Sequence, residues 1–180
     1  MDGEILRLAE RPTRASAPPA FSPDAELVAF YRDHRLDLVR LAVLLVGDRE
    51  TAEDVVQDVF ARLHRSWRPG VTTLAYVRTC VLNGSRSVLR RRAVALRRAE
   101  RVTDLVDSAE TAALIGESRR EVLVALGRLP RRQREALVLR YYLDLPDAEI
   151  AEAMGVREST VRSTTARALA KLLRELGDSI

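Results

Sequence analysis

The stretch "DAEIAEAMGVRESTVRSTTARAL" (residues 147–169) carries the residues best suited to chemistry with nucleic acid. Ser159, Thr160, Arg162, Ser163 and Arg167 recur at helical spacing, with Arg157 just ahead of them. Short hydroxyl donors and guanidinium forks are the groups that reach phosphate oxygens and base edges. Ile150, Met154, Val156 and Val161 would lock two short helices together. Ala151 supplies the small residue where they cross, and Gly155 tolerates the positive φ of a tight turn. The pattern predicts a helix-turn-helix with an outward-facing second helix. Such a motif names no function by itself, since repressors, activators and many other regulators share it.

A second set of candidates lies upstream. Ala52, Val55, Val56, Val59, Phe60 and Leu63 keep a three-four spacing that predicts one buried stripe. The opposite face carries Asp54, Gln57, Asp58 and Arg62. After a loop at "SWRPGVTT" (66–73), marked by Pro69 and Gly70, a further helix is expected over about Thr73–Arg92. Its apolar side is Leu74, Val77, Val81 and Val88; Asn83, Arg86 and Arg90 share another side, and Arg90, Arg91 and Arg92 form a basic run. Gly84 inside this helix costs about 1 kcal/mol relative to Ala, which a close approach by a neighbouring backbone would explain. Trp67 and Tyr76 are expected to pack, and Cys80 to act as a small core residue.

The elements that must position these residues are helical. Hydrophobic residues make up 47% and charged residues 31% of the 180, but aromatics only 4%. Apolar faces must therefore be built from Leu, Val and Ala, which suits helices better than sheets. No strand-like alternation and no internal repeat appears. The formal charge is +4 and the pI about 9.8. The cations are almost all Arg, Lys171 being the only lysine; this reflects either a GC-rich genome or a phosphate-binding surface. Cys80 is the only cysteine, so neither a disulfide nor a cysteine zinc site can form within one chain. His34 and His64 lack metal-ligand spacing, so no metal or other cofactor is expected. The N-terminus lacks a signal-peptide pattern, and the most apolar run, Leu41 to Val46, is far too short to cross a membrane. A cytoplasmic, reducing setting without membrane contact follows as the expectation.

Punctuation divides the chain. Residues 1–21 read as a flexible tail ending in the Pro-, Ala- and Ser-rich "RPTRASAPPAFSP" (11–23). Ser22 and Pro23 form a helix start. Three helices fill residues 22–92: Pro23–Val46 stopping at Gly47, one from near Asp48 and Thr51, and Thr73–Arg92. Residues 93–116 read as a linker, partly helical. Residues 117–177 hold four helices: Ser118–Gly127, Pro130–Leu143, Pro146–Gly155 and Glu158–Leu176. The fold class is all-α, two small helical domains joined by a linker.

At this point the sequence resembles a known family. "LPRRQREALVLRYYLDLPDAEIAEAMGVRESTVRSTTARALAKL" (129–172) resembles region 4 of bacterial RNA polymerase sigma-70 family factors. "DRETAEDVVQDVFARLHRSW" (48–67) resembles region 2.2 and "AYVRTCVLNGSRSVLRRR" (75–92) regions 2.3–2.4. The two-part layout is that of the extracytoplasmic-function (ECF) class, and within it of the SigE-like actinobacterial group. The resemblance implies a non-enzymatic initiation factor that binds core RNA polymerase and promoter DNA. Asp54, Gln57 and Asp58 would dock on the β′ clamp helices, with region 4 near the β flap. The 66–72 loop would accept a flipped base, and Asn83, Arg86, Arg90 and Arg91 would contact the −10 element. Arg157, Ser159, Thr160, Arg162, Ser163 and Arg167 would read the −35 element. An anti-sigma factor is a possible partner.

Two positions depart from the family pattern. Arg157 stands where a Ser-type cap is common, and Ser87 where many ECF factors carry Asp. The rival reading is a conventional dimeric repressor or activator; it accounts for residues 129–172 but not for the acidic-faced helix and the Arg-ended helix upstream, and no heptad seam supports a dimer. No convergent nucleophile, carboxylate pair or phosphate-cradling loop supports an enzyme. The linker length and the Arg faces motivate a compact free form in which the two units mask their DNA surfaces.

Overall fold

The computed structural model describes residues 23–98 and 117–177. The expected tail, the Ser22 cap and residues 99–116 of the expected linker lie outside them. Helix α1 (Pro23–Val46) opens with Asp24 and Glu26, which complement its N-terminal dipole. It stops at Gly47, whose φ of 96° suits a residue without Cβ. Asp48 then caps α2 (Arg49–Leu63), accepting the Thr51 N–H at 2.8 Å. The buried stripe of α2 is Ala52, Val55, Val56, Val59, Phe60 and Leu63, as the spacing predicts. Helix α3 (Leu74–Arg98) continues past the expected end at Arg92. The three helices pack against one another. Trp67 is buried edge-on to Phe30, with the ring centroids 5.1 Å apart. At Gly84 a Cβ would lie 3.0 Å from a Val55 methyl, so the close approach is by an α2 side chain rather than by backbone.

The second unit comprises α4 (Glu117–Gly127), α5 (Arg131–Leu137), a π-helical turn (Val138–Tyr142), α6 (Asp147–Met154) and α7 (Glu158–Gly177). Helix α7 touches α4, α5 and α6 and so forms the centre of the unit. Ala168 on α7 is fully buried in a cluster with Leu126, Leu129 and Leu137. The single helix expected over Pro130–Leu143 instead widens at Val138. The Leu143 N–H bonds the Val138 carbonyl at 3.2 Å, and Asp144 adopts a φ of 53°. That turn redirects Arg140 toward α6 and Tyr142 toward α1.

The units share one apolar core. Val138, Leu139, Ile150, Ala151 and Val161 of the second cluster with the buried residues of α1, α2 and α3. The end of α1 explains how. Leu38, Val39, Leu41, Ala42, Val43, Leu45 and Val46 are all buried, covering more than half the helix circumference. One side packs on α2 and α3, another on α4, α5 and the π-turn. Among the described residues there is no strand, no group of side chains able to hold a metal, and no helix long and apolar enough to cross a membrane.

Candidate nucleic-acid interface

The helix-turn-helix is built as its residue types require. Ile150 and Val161 are fully buried and Ala151 nearly so, which fixes α6 against α7. Gly155 takes the left-handed conformation at φ 63°, ψ 41°. Its N–H bonds Glu152 O at 3.2 Å and the Val156 N–H bonds Ala151 O at 3.0 Å, the paired closure that lets a helix end within one residue. Ahead of α7, the Arg157 carbonyl accepts the Thr160 and Val161 N–H groups at 2.9 and 3.1 Å. Arg157, Ser159, Thr160, Arg162, Ser163 and Arg167 are all exposed on one continuous surface. Ser163 Oγ donates to Thr160 O and Arg167 Nε to Ser163 O, both at 3.1 Å, which orients these side chains along the helix. Thr164 and Thr165 turn inward.

Sequence reasoning missed Asp147. It receives Arg140 from the π-turn and lies 3.5 Å from Arg162, so one carboxylate ties the first helix of the motif to the second. Arg162 is 61% exposed and its contact with Glu158 is 3.7 Å. Pairs of this kind contribute little and leave the guanidinium free to turn to another anion.

In the first unit, a groove of about 530 Å³ runs between α2 and α3. Asp58 and Arg62 line one side; Asn83, Arg90 and Arg91 line the other, with Tyr76 and Cys80 at the α3 end. The groove thus joins one residue expected to dock protein with three expected to contact DNA. Asp54 and Gln57 are exposed on α2 but are not part of its lining. Tyr76 does not pack as expected: it is 54% exposed. Cys80 is half-buried: it packs against the core, as expected, and also lines the groove. The Tyr76 hydroxyl is pushed up from its ordinary value by the neighbouring Cys80 thiol.

Arg86 departs from the rest of its set. It turns away from the groove into the seam between the units, with Nε 3.0 Å from Glu135 Oε1, and Nη2 on the same carboxylate and 2.6 Å from Ala153 O. Its Nη1 reaches back to Asn83 Oδ1 at 3.0 Å. Arg92 is held elsewhere too, on Asp48 at 2.9 Å and Val46 O at 3.4 Å. Of the basic run, Arg90 and Arg91 remain exposed at the groove.

A bundle with a polar, Arg-lined groove, followed by a helix-turn-helix whose second helix is exposed on its hydroxyl- and Arg-bearing side, is the architecture of a two-unit nucleic-acid-binding protein. Comparison narrows the class. The family described as Sigma-70 region 2 matches residues 30–95, and that described as Sigma-70, region 4 matches residues 119–172. ECF RNA polymerase sigma factor SigM of Mycobacterium tuberculosis is 33% identical, covering 86% of this chain and 85% of SigM. Probable ECF RNA polymerase sigma factor SigI of the same species is also 33% identical over 80% of this chain. The chain spans about half of SigI, 53% of its length. The sigma factor RpoE of Bartonella quintana, solved with the anti-sigma factor NepR, superposes with a TM-score of 0.67 at 24% identity, over 83% of this chain and 97% of RpoE. The chain belongs to the ECF sigma factors of the sigma-70 family.

Proposed function

We propose that the protein is an ECF RNA polymerase sigma factor: it binds core RNA polymerase, recognises promoter −10 and −35 elements and directs transcription initiation. Residues 22–92 serve as region 2 and residues 117–177 as region 4, with 93–116 as the linker. Asp54, Gln57 and Asp58 meet the β′ clamp helices, where carboxylates complement a basic partner and steer association. Asn83, Arg90 and Arg91 receive the −10 strand along the α2–α3 groove, with Arg86 joining them when it leaves the seam. Helix α7 enters the −35 major groove, each correct base contact discriminating by about 1–3 kcal/mol, with region 4 near the β flap. Mounted on one polymerase, the two units gain through effective concentration. The protein acts in the cytoplasm, is not an enzyme, and takes an anti-sigma factor as a possible partner.

The observation that carries this reading is the exposed α7 face and the α2–α3 groove occurring on one chain, in region 2 to region 4 order. A dimeric repressor accounts for the former alone. Run-off transcription with core polymerase on a genomic promoter library tests it. Specific transcripts from the wild type that vanish in Asp54→Arg/Asp58→Arg support both function and docking face. Transcripts surviving the double variant move the interface elsewhere. DNA binding without transcripts sinks the reading.

A further inference from the structure

The seam between the units has a feature that folding alone does not require. Glu135 is a buried carboxylate on α5, 6% exposed at its side chain, with Ala136 and Leu137 buried beside it. Its counter-ion comes from the other unit: Arg86, itself 21% exposed. Beside the pair the seam leaves only about 10 Å³, lined by Leu45, Leu82, Ser85 and Leu89 among others, at the lower limit for one water. A charge pair in so dry a place is not screened as a surface pair is, and each partner is stranded if the other leaves.

Two further clasps cross the same seam. Arg134 donates to Leu45 O at 2.7 Å and to Gly127 O at 2.8 Å. Helix α1 has no basic residue in its last turn; Arg134 brings a cation to the negative end of its dipole from the second unit, beside Arg92 of the first. Burial pulls the Arg134 guanidinium below its ordinary value. Tyr142 donates to Asp37 O at 3.2 Å, an aim given to it by the π-turn.

We infer that Glu135 is an internal competitor for Arg86: the free chain is latched shut by Arg86–Glu135, and opening of the seam hands that guanidinium to a single-stranded nucleic-acid backbone. Glu135 mimics the anion that Arg86 meets when the units part. Strand binding and seam opening are then reciprocal, each favouring the other by the same factor. The inference rests on reading Arg86 as a strand contact. Asn83 marks the route, since it bonds Arg86 while lining the groove.

The test uses the full chain. Small-angle scattering reports shape, and fluorescence anisotropy with a labelled 12-nucleotide random single strand reports binding. Glu135→Arg places two cations in the seam and is expected to enlarge the radius of gyration; Arg86→Glu/Glu135→Arg restores an opposite pair and is expected to recover the compact value. Glu135→Gln, the isosteric change, is expected to bind the strand about tenfold more tightly, within the usual range of coupling between sites. The gain should disappear when Arg86→Ala is added. Circular dichroism at wild-type helicity establishes that each variant is folded; should Glu135→Arg lose helicity, the Gln variant alone decides. Unchanged affinity in Glu135→Gln, with Arg86→Ala weaker than wild type, overturns the latch and leaves Arg86 as a strand contact. Equal strand binding by wild type and Arg86→Ala instead overturns the strand-contact reading on which the latch depends.

Discussion

Asp48 holds three helices at once, and its replacement tests how the α2–α3 groove is kept in shape. Its Oδ1 accepts the Thr51 N–H at 2.8 Å, capping α2. Its Oδ2 receives Arg92 of α3 at 2.9 Å, while the same guanidinium reaches Val46 O at the end of α1 and donates to Thr51 Oγ1. Loss of an N-cap costs about 1 kcal/mol. Arg92 is 45% exposed, so its screened pair adds only about 0.5 kcal/mol. Asp48→Ala should therefore cost about 1.5 kcal/mol, the sum of the cap and the screened pair. For a chain of this size that lowers the melting temperature by roughly 3–6 °C. Asp48→Asn keeps a capping oxygen, since Asn caps as well as Asp, and should lose only the charge, about 0.5 kcal/mol.

The pH dependence separates the two contributions. Burial pushes the Asp48 carboxyl up, but the Thr51 hydroxyl and amide, and then Arg92, outweigh it and hold the group below the ordinary carboxylate value. A depressed carboxylate contributes stability that is present above its unfolded-state pKa, about 3.9, and is lost as pH falls through the folded-state value. Urea unfolding at pH 7 and at pH 3 reads this directly. The gap between wild type and Asp48→Asn should narrow at pH 3, while Asp48→Ala stays below Asp48→Asn at both. An Asn variant as unstable as the Ala variant at pH 7 would refute the capping role. A wild-type advantage over Asn undiminished at pH 3 would refute the charge.

Two other changes probe the reading face and the helix crossing. Arg167→Ala should weaken duplex binding similarly across sequences and lower the slope of log K against log salt by about 1, as for one lost phosphate contact; a change in base preference with unaltered slope would instead make Arg167 a base reader. Gly84→Ala gains about 1 kcal/mol of helix propensity but presses a methyl on Val55, a crowding that costs about 1–3 kcal/mol. The net is a lowered urea midpoint, and Gly84→Ala/Val55→Ala should lose less than the two single changes added. Strict additivity would mean that the 3.0 Å approach is relieved at no cost.

The helices and the exposed side of α7 were legible because their signals are local. The α2 stripe follows from three-four spacing, the motif turn from Gly155, and the outward set on α7 from hydroxyl and Arg residues falling opposite Val161. The π-turn was not legible, since Val138–Tyr142 differs from ordinary helix only in which carbonyl each N–H chooses, a choice made by contacts with α1 and α6. Tyr76 was misread because an aromatic residue in a helix's first turn looks the same in sequence whether it faces the core or, as here, an open groove.

The role of Arg86 shows the deeper limit. By residue type and spacing it belongs with Asn83 and Arg90, yet its partner lies 49 residues away on another unit. Glu135 falls between Arg134 and Ala136 and looks in sequence like any solvated acid. One signal was nonetheless present: "LAVLLV" at 41–46 is apolar on every face, and a helix apolar all round must be covered on more than one side. With α2 and α3 filling one side, the other requires the second unit, and a charged residue on α3 or α5 near that seam must then find its partner there, as Arg86 finds Glu135 and Arg134 the Leu45 carbonyl. The apolar run that is too short for a membrane is thus the sequence mark of a closed chain, and closure is what converts an ordinary Arg and an ordinary Glu into a pair.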